Sequence, residues 1–147
     1  MLEKLLIALM IIMVFDVVWQ VISRYLINSP STFTDELAGF LLIWLGLLGA
    51  AYATGKGQHL SIEILPSKLS VKNRQRLDIF INVLVILFSL SVMIIGGVNL
   101  VYLTFILQQK SASLNIPLGY IYCAVPLSGA FIVIYGASNI KNLIKQG

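Results

Sequence analysis

The chain has 147 residues, of which 59% are hydrophobic and only 11% are charged, and its mean hydropathy is +0.94. Soluble globular proteins carry about 25% charged residues, so this chain lacks the polar side chains that would cover a water-facing surface. The composition excludes a cytosolic enzyme, a nucleic-acid-binding protein and a disordered tail. We therefore expect an integral membrane protein.

Four stretches of the chain are apolar and long enough to cross a bilayer, which needs about 20 residues of helix. The predicted spans cover about residues 5–24, 36–54, 78–107 and 116–140. The first begins like a signal peptide, but it continues beyond a plausible cleavage site, and we interpret it as a retained span. The expected fold class is all-α and integral to the membrane, with residues 1–147 forming a single four-helix domain.

The third and fourth spans contain features that should make them irregular. The third is longer than a bilayer requires, so we expect it to tilt, to bend near Gly96 and Gly97, or to project from the membrane. In the fourth span, Pro117 suits the first turn of a helix, whereas Pro126 should kink the helix that follows.

The basic residues predict the orientation of these spans. Arg24 and Lys110 are on one side, and the other eight Lys and Arg residues are on the opposite side. The positive-inside rule then places both termini in the cytoplasm, and the pI ≈ 9.3 reports orientation rather than a nucleic-acid partner. The eight residues are Lys4, Lys56, Lys68, Lys72, Arg74, Arg76, Lys141 and Lys145.

The connection between the second and third spans mixes apolar and polar positions before a basic cluster. We expect a short amphipathic cytoplasmic segment that lies along the membrane, although a solvated loop would also account for the pattern. The cluster would bind anionic phospholipid headgroups, and two tryptophans would anchor helices at the membrane surface. The predicted anchoring residues are Trp19, Trp44, Lys68, Lys72, Arg74 and Arg76.

Asp16 is the one acid embedded well inside an apolar stretch. Asp16, Gln20 and Arg24 follow the i, i+4, i+8 spacing that places residues on one helix face. One hypothesis is a contact surface for a partner helix, which would satisfy these polar groups. The other is an autonomous small dimeric carrier in which Asp16 couples transport to protons.

The second span carries two further candidates for contact with partners. Asp35 and Glu36 open this span, and they either cap the helix and pair with Arg24 or form an external docking patch for a soluble protein. Gly46 and Ala50 follow the small-xxx-small spacing that lets helices approach closely, either within the chain or against another subunit. No metal site is predicted, and a membrane oxidoreductase is disfavoured because the sequence lacks paired histidine ligands.

Several short motifs follow one another along the whole chain. In this order and spacing they resemble the small permease subunits of tripartite ATP-independent periplasmic (TRAP) transporters. The sequence differs from that family's pattern at Glu63, where Asp is usual, and at Thr34, where an aromatic residue is common. The motifs are Arg24-Tyr25, Pro30, Thr34-Asp35-Glu36-Leu37-Ala38, Trp44-Leu45-Gly46-Leu47-Leu48-Gly49-Ala50-Ala51-Tyr52-Ala53, Gly57-Gln58-His59-Leu60-Ser61-Ile62-Glu63, Ile116-Pro117 and Ala124-Val125-Pro126-Leu127.

The resemblance implies a non-catalytic scaffold subunit in a bacterial inner membrane. Its partners would be a large membrane subunit, bound as a heterodimer, and a periplasmic substrate-binding protein, bound transiently. The large subunit would carry the sodium and substrate sites, so this chain would need no cofactor of its own. The transported substrate would be an organic acid of the sialic acid or C4-dicarboxylate class.

Overall fold

The computed structural model describes residues 2–26, 31–56 and 71–145, apart from the side chains of residues 71, 72 and 74. These residues are helical almost throughout, and a single isolated antiparallel bridge pairs Lys110 with Pro117. The helices are α1 (Leu2–Tyr25), α2 (Thr32–Gly55), α3 (Val71–Phe88), a π-helix (Ser89–Gly96), α4 (Gly97–Ile106), α5 (Leu118–Tyr122) and α6 (Ala124–Lys145).

Four helical stretches among the described residues are long and apolar enough to cross a membrane. They cover Leu2–Tyr25, Thr32–Gly55, Gln75–Ile106 and Leu118–Lys145. The prediction of an all-α protein with four such helices is therefore confirmed. The predicted amphipathic segment between the second and third spans falls on residues 57–70, which lie outside the described residues, and it stays a prediction.

The third helix begins at Val71, whereas the prediction was a start near residue 78. The apolar stretch does begin near residue 78, but Lys, Arg and Gln are good helix formers, so the helix continues through the polar residues before it. Lys72, Arg74 and Arg76 therefore lie in the first turns of α3 rather than in the preceding connection. A π-helix that ends at Gly96 occupies the place where a bend was one of the expected outcomes.

The fourth helix is interrupted, as the sequence predicted, but the break lies about one turn before Pro126. Pro117 directly precedes α5, and the break between α5 and α6 falls at Cys123. Pro126 has no N–H to donate to the carbonyl of Tyr122, so an α-helix cannot run unbroken through this point. The sequence identified the residue that causes the break rather than the position of the break.

The chain divides into two compact units, and the prediction of a single domain is not tested by this division. The first unit comprises Met1–Gly49 and Val98–Ala124. Within it, α1 buries or half-buries one narrow stripe with alternating spacings of four and three residues, and most of its other side chains are exposed. This stripe consists of Leu2, Leu6, Leu9, Met13, Asp16, Gln20 and Ser23.

The second unit comprises Ala50–Gly97 and Val125–Gly147, and two glycines of α6 bring its elements together. A Cβ atom added at Gly129 would lie 2.8 Å from the Cβ of Met93, and one added at Gly136 would lie 2.9 Å from the Cγ1 of Ile86. Side chains larger than glycine would therefore force these elements apart. At the same contact, the buried hydroxyl of Ser89 donates a hydrogen bond of 2.9 Å to the carbonyl of Gly129.

Hydrogen bonds from amide side chains to backbone carbonyls also join elements of the second unit. The Nδ2 of Asn139 donates to the carbonyl of Thr54 over 2.8 Å, and the Nε2 of Gln75 donates to the carbonyl of Leu143. Both carbonyls lie in the last turns of their helices, where no intrahelical donor is available. The amide side chains therefore satisfy helix ends as well as linking the helices.

Candidate partner interface

The carboxylate of Glu36, near the start of α2, accepts hydrogen bonds from four donors in one distant stretch of chain. The hydroxyl of Ser111 and the N–H groups of Ser113 and Leu114 donate to Oε2, the latter two over 3.0 and 3.1 Å. The N–H of Ala112 donates to Oε1 over 3.0 Å. Hydrogen bonds to an ionised carboxylate are among the stronger ones, so Glu36 ties residues 111–114 to the first turns of α2.

Residues 107–117, which we name the Glu36-bound hairpin, connect α4 to α5. The N–H of Ser111 donates to the carbonyl of Ile116 over 2.9 Å, and the N–H of Leu118 donates to the carbonyl of Gln109 over 3.0 Å. Gln108 and Asn115 have positive φ angles of 49° and 56°. Such angles cost free energy for a residue with a side chain, so the surrounding hydrogen bonds must hold the backbone in this shape.

Arg24 and Asp35 form an ion pair, with 3.4 Å between Nη2 and Oδ1. About half of each side chain is exposed (51% and 43%), so the pair remains accessible to a partner and contributes little to stability. The two neighbouring acids therefore differ in their contacts. Asp35 pairs with Arg24, as one interpretation of the sequence predicted, whereas Glu36 binds the hairpin, which the sequence did not predict.

Asp16 is buried, with 8% of its surface exposed, and its Oδ2 atom has no hydrogen-bond partner among the described residues. Gln20 belongs to the same buried stripe of α1, but Arg24 is exposed. Of the predicted polar face, Asp16 and Gln20 therefore lie in the stripe, and Arg24 lies outside it. Ser23 continues the stripe instead, because with 3.6 residues per turn a residue at i+8 has rotated away from a narrow face. No group of three or more His, Cys, Asp and Glu that could hold a metal occurs in the described ranges.

Three glycines of α2 have open space where a side chain would be. A Cβ atom added at Gly39, Gly46 or Gly49 would meet no other atom within 4 Å. We name these residues the α2 glycine row. Ala50 is half-buried, next to the fully buried Ala51, so the two predicted small residues Gly46 and Ala50 have different surroundings.

The predicted membrane anchors have varied positions. Trp19 is exposed in the C-terminal part of α1, whereas Trp44 is half-buried near the middle of α2, a position that suits a membrane–water interface less well. Arg76 is exposed on α3. Lys68 lies outside the described residues, and the side chains of Lys72 and Arg74 are not described, so their anchoring role stays a prediction.

Sequence reasoning missed Ser111 and the backbone N–H groups that follow it. The stretch Lys110-Ser-Ala-Ser-Leu-Asn115 has the small and polar composition of a turn, and that signal was available. The local sequence does not reveal that Glu36 binds this turn, because Glu36 is 75 residues away from Ser111 along the chain.

The described residues are those of a multi-pass membrane protein. Hydrogen bonds between side chains and backbone groups link its helices and hold its polar hairpin. The chain matches the family of tripartite ATP-independent periplasmic transporters, DctQ component, over residues 8–146. It belongs to this family, which confirms the resemblance seen in its motifs. The protein is therefore the small permease component of a TRAP transporter and not an enzyme.

Named relatives support this assignment. The sialic acid TRAP transporter small permease protein SiaQ of Vibrio cholerae is 27% identical over 148 residues, covering 97% of this chain and 81% of the relative. The ectoine TRAP transporter small permease protein TeaB of Halomonas elongata is 31% identical over 150 residues, or 99% and 76% of the two chains. The sialic acid TRAP transporter permease protein SiaT of Haemophilus influenzae is 33% identical over 66 residues, which make up 45% of this chain and 11% of SiaT.

Proposed function

We propose that this chain is the non-catalytic scaffold subunit of a sodium-coupled TRAP transporter that imports an organic acid. It binds a large membrane subunit as a heterodimer and stabilises it, while the large subunit carries sodium and substrate. The chain also helps to dock the periplasmic substrate-binding protein. The observation that carries the proposal is the α2 glycine row, because three positions without a side chain, around the exposed Leu42, let a partner helix approach α2 closely.

The occupant we propose for this face is a helix of the large subunit. The other glycines at close contacts, such as Gly129 and Gly136, already serve packing within the chain, whereas a Cβ atom added at any residue of the α2 glycine row would find open space. The partial match to SiaT supports a physical association, because a stretch similar to this chain accounts for 11% of a protein named as a permease.

We propose the bacterial inner membrane as the location, with both termini in the cytoplasm. The exposed Arg76 and the other basic residues of that side would then contact anionic phospholipid headgroups. The Glu36-bound hairpin and the ion pair of Arg24 with Asp35 would face the periplasm. For the substrate we propose a sialic acid or a C4-dicarboxylate, and the relatives named for sialic acid and ectoine indicate that subunits of this kind serve different substrates.

The test is co-purification of the large subunit with tagged variants of this chain in mild detergent. Gly46→Leu fills the open face of α2 and should remove most of the large subunit from the purified material. Ala8→Leu is the matched control, because it places the same side chain on an exposed position of α1 and should leave co-purification unchanged.

Equal amounts of large subunit with Gly46→Leu and with the wild type would show that α2 is not the interface. A wild-type chain that purifies without any large subunit would instead disprove the scaffold function.

A second candidate is the autonomous dimeric carrier that uses Asp16. The specific observation in its favour is the buried Oδ2 atom without a hydrogen-bond partner among the described residues, since buried acids in membranes are often functional. Vesicles that contain this chain alone test it. Proton-coupled substrate movement that Asp16→Asn abolishes would establish the carrier, and its absence in the wild type would exclude it.

A further inference from the structure

Glu36 was grouped with Asp35 as a docking charge, but its contacts indicate a different role. Both oxygens of its carboxylate already accept hydrogen bonds, three of them at Oε2 and one at Oε1. A carboxylate has about four acceptor positions, so little capacity remains for a partner protein. Asp35, whose side chain is 43% exposed and whose Oδ1 lies 3.4 Å from Nη2 of Arg24, keeps that capacity.

The donors to Glu36 are four consecutive residues of the hairpin. The carboxylate therefore fixes the backbone conformation of the turn. The N–H groups of Ala112, Ser113 and Leu114 all point to Glu36, and the hydroxyl of Ser111 both donates to Glu36 and accepts from the N–H of Leu114. Without the carboxylate, these groups would lose the acceptor that holds them in one direction. The hairpin would then be held by its own few backbone hydrogen bonds.

Most residues that the hairpin exposes are polar or small, and Leu107 and Ile116 are the exposed large apolar ones. Gln108, Gln109 and Lys110 are exposed at its start, and Ala112 and Ser113 are exposed at its turn. Since Glu36 follows Asp35 directly in α2, the hairpin and the ion pair of Arg24 with Asp35 are attached to the same turn of one helix. Together they form a polar surface that mixes both signs of charge, which suits a soluble protein better than lipid.

We propose that Glu36 is a positioning residue for the docking of the periplasmic substrate-binding protein. It does not touch that protein; it holds the hairpin so that the hairpin and the ion pair of Arg24 with Asp35 form one receiving surface. This inference rests on the proposed function, because it requires the transporter assembly and the periplasmic position of the hairpin.

The experiment uses the complex with the large subunit in lipid nanodiscs and the purified binding protein of the same transport system. Two quantities are measured for each variant: hydrogen–deuterium exchange of the amides of residues 112–114, and the dissociation constant of the binding protein. The variants are Glu36→Ala, Glu36→Gln, Ser111→Ala and Asp35→Asn. Asp78→Asn is the matched control, because it neutralises a carboxylate on α3, whereas the donors to Glu36 are residues 111–114.

In Glu36→Ala we expect exchange at residues 112–114 to accelerate by about tenfold or more, because three N–H groups lose a charged acceptor. The dissociation constant should rise by roughly fivefold or more, as expected when a docking surface loses its preformed shape. Glu36→Gln, which keeps one acceptor oxygen, and Ser111→Ala should show smaller changes of both quantities. Asp35→Asn should weaken binding without changing the exchange, and Asp78→Asn should change neither.

Three results would overturn the inference. Unchanged exchange in Glu36→Ala and Glu36→Gln would show that Glu36 does not hold the hairpin. Faster exchange with a wild-type dissociation constant would show that the hairpin does not receive the binding protein, while the scaffold function would stand. If the wild-type complex does not bind the binding protein at all, the docking part of the proposed function fails, and the inference fails with it.

Discussion

Glycines of α6 and of α2 have the same chemistry but opposite surroundings. At Gly129 and Gly136 an added Cβ atom would come within 3 Å of side chains of Met93 and Ile86, whereas at Gly46 it would meet nothing within 4 Å. Glycine lowers the stability of a helix by roughly 0.5–1 kcal/mol relative to alanine, so each position needs a compensating contact. In α6 that contact lies within the chain, and for α2 we propose that the large subunit provides it.

The largest effect that separates the two groups is expected from Gly129→Ala. Its Cβ atom would lie 2.8 Å from the Cβ of Met93 and 3.1 Å from the Cγ1 of Ile94, so the helices must shift. Overpacking of this kind costs about 1–3 kcal/mol. We expect a clear decrease in the melting temperature of the isolated chain in detergent, measured by tryptophan fluorescence or circular dichroism.

Gly46→Ala is the matched control, because it makes the same substitution in open space. It should leave the melting temperature of the isolated chain unchanged or raise it slightly, since alanine favours the helix. Equal destabilisation by Gly46→Ala and Gly129→Ala would contradict the distinction between the two groups of glycines.

A smaller effect is expected from Asn139→Ala, which removes the 2.8 Å hydrogen bond to the carbonyl of Thr54. Hydrogen bonds of side chains between membrane helices contribute about 0.6 kcal/mol on average. The free energy of unfolding in mixed detergent should fall by about that amount. Ser138→Ala, at an exposed neighbouring position, serves as the control, and a loss of the same size there would argue against the assigned contact.

The smallest effect on stability is expected at the ion pair of the first unit. Because both partners are about half exposed, Arg24→Gln should change the free energy of unfolding of the isolated chain by about 0.5 kcal/mol or less. The change should become smaller as salt is added, because salt screens exposed charges. Unfolding measured at low and high ionic strength provides the check, and a large loss that does not depend on salt would contradict it.

The sequence was sufficient for the four long apolar helices, because hydropathy over about 20 residues is a local property. It was less reliable for their ends. The start of α3 at Val71 depends on the helix propensity of polar residues, and the break at Cys123 depends on which carbonyl Pro126 leaves without a donor. Helix propensity and the missing N–H of proline locate both positions more closely than hydropathy does.

The candidate site was predictable only in part. The pairing of Arg24 with an acid followed from their positions at the ends of neighbouring spans, and Asp35 is the partner. The contact of Glu36 with Ser111 joins residues 75 positions apart, and nothing in either local sequence indicates the other. The same holds for Gly46, since spacing cannot tell whether a small residue faces another part of its own chain or open space.

The π-helix of Ser89–Gly96 has a consequence for how relatives of this chain are compared. A π-helical turn contains more residues than an α-helical turn, so it is equivalent to inserting a residue into an α-helix. Side chains within Ser89–Gly96 therefore depart from the spacing that an uninterrupted α-helix would keep. Family members without this segment should be one residue shorter here, and the gap in an alignment belongs within Ser89–Gly96 rather than in the connections between spans.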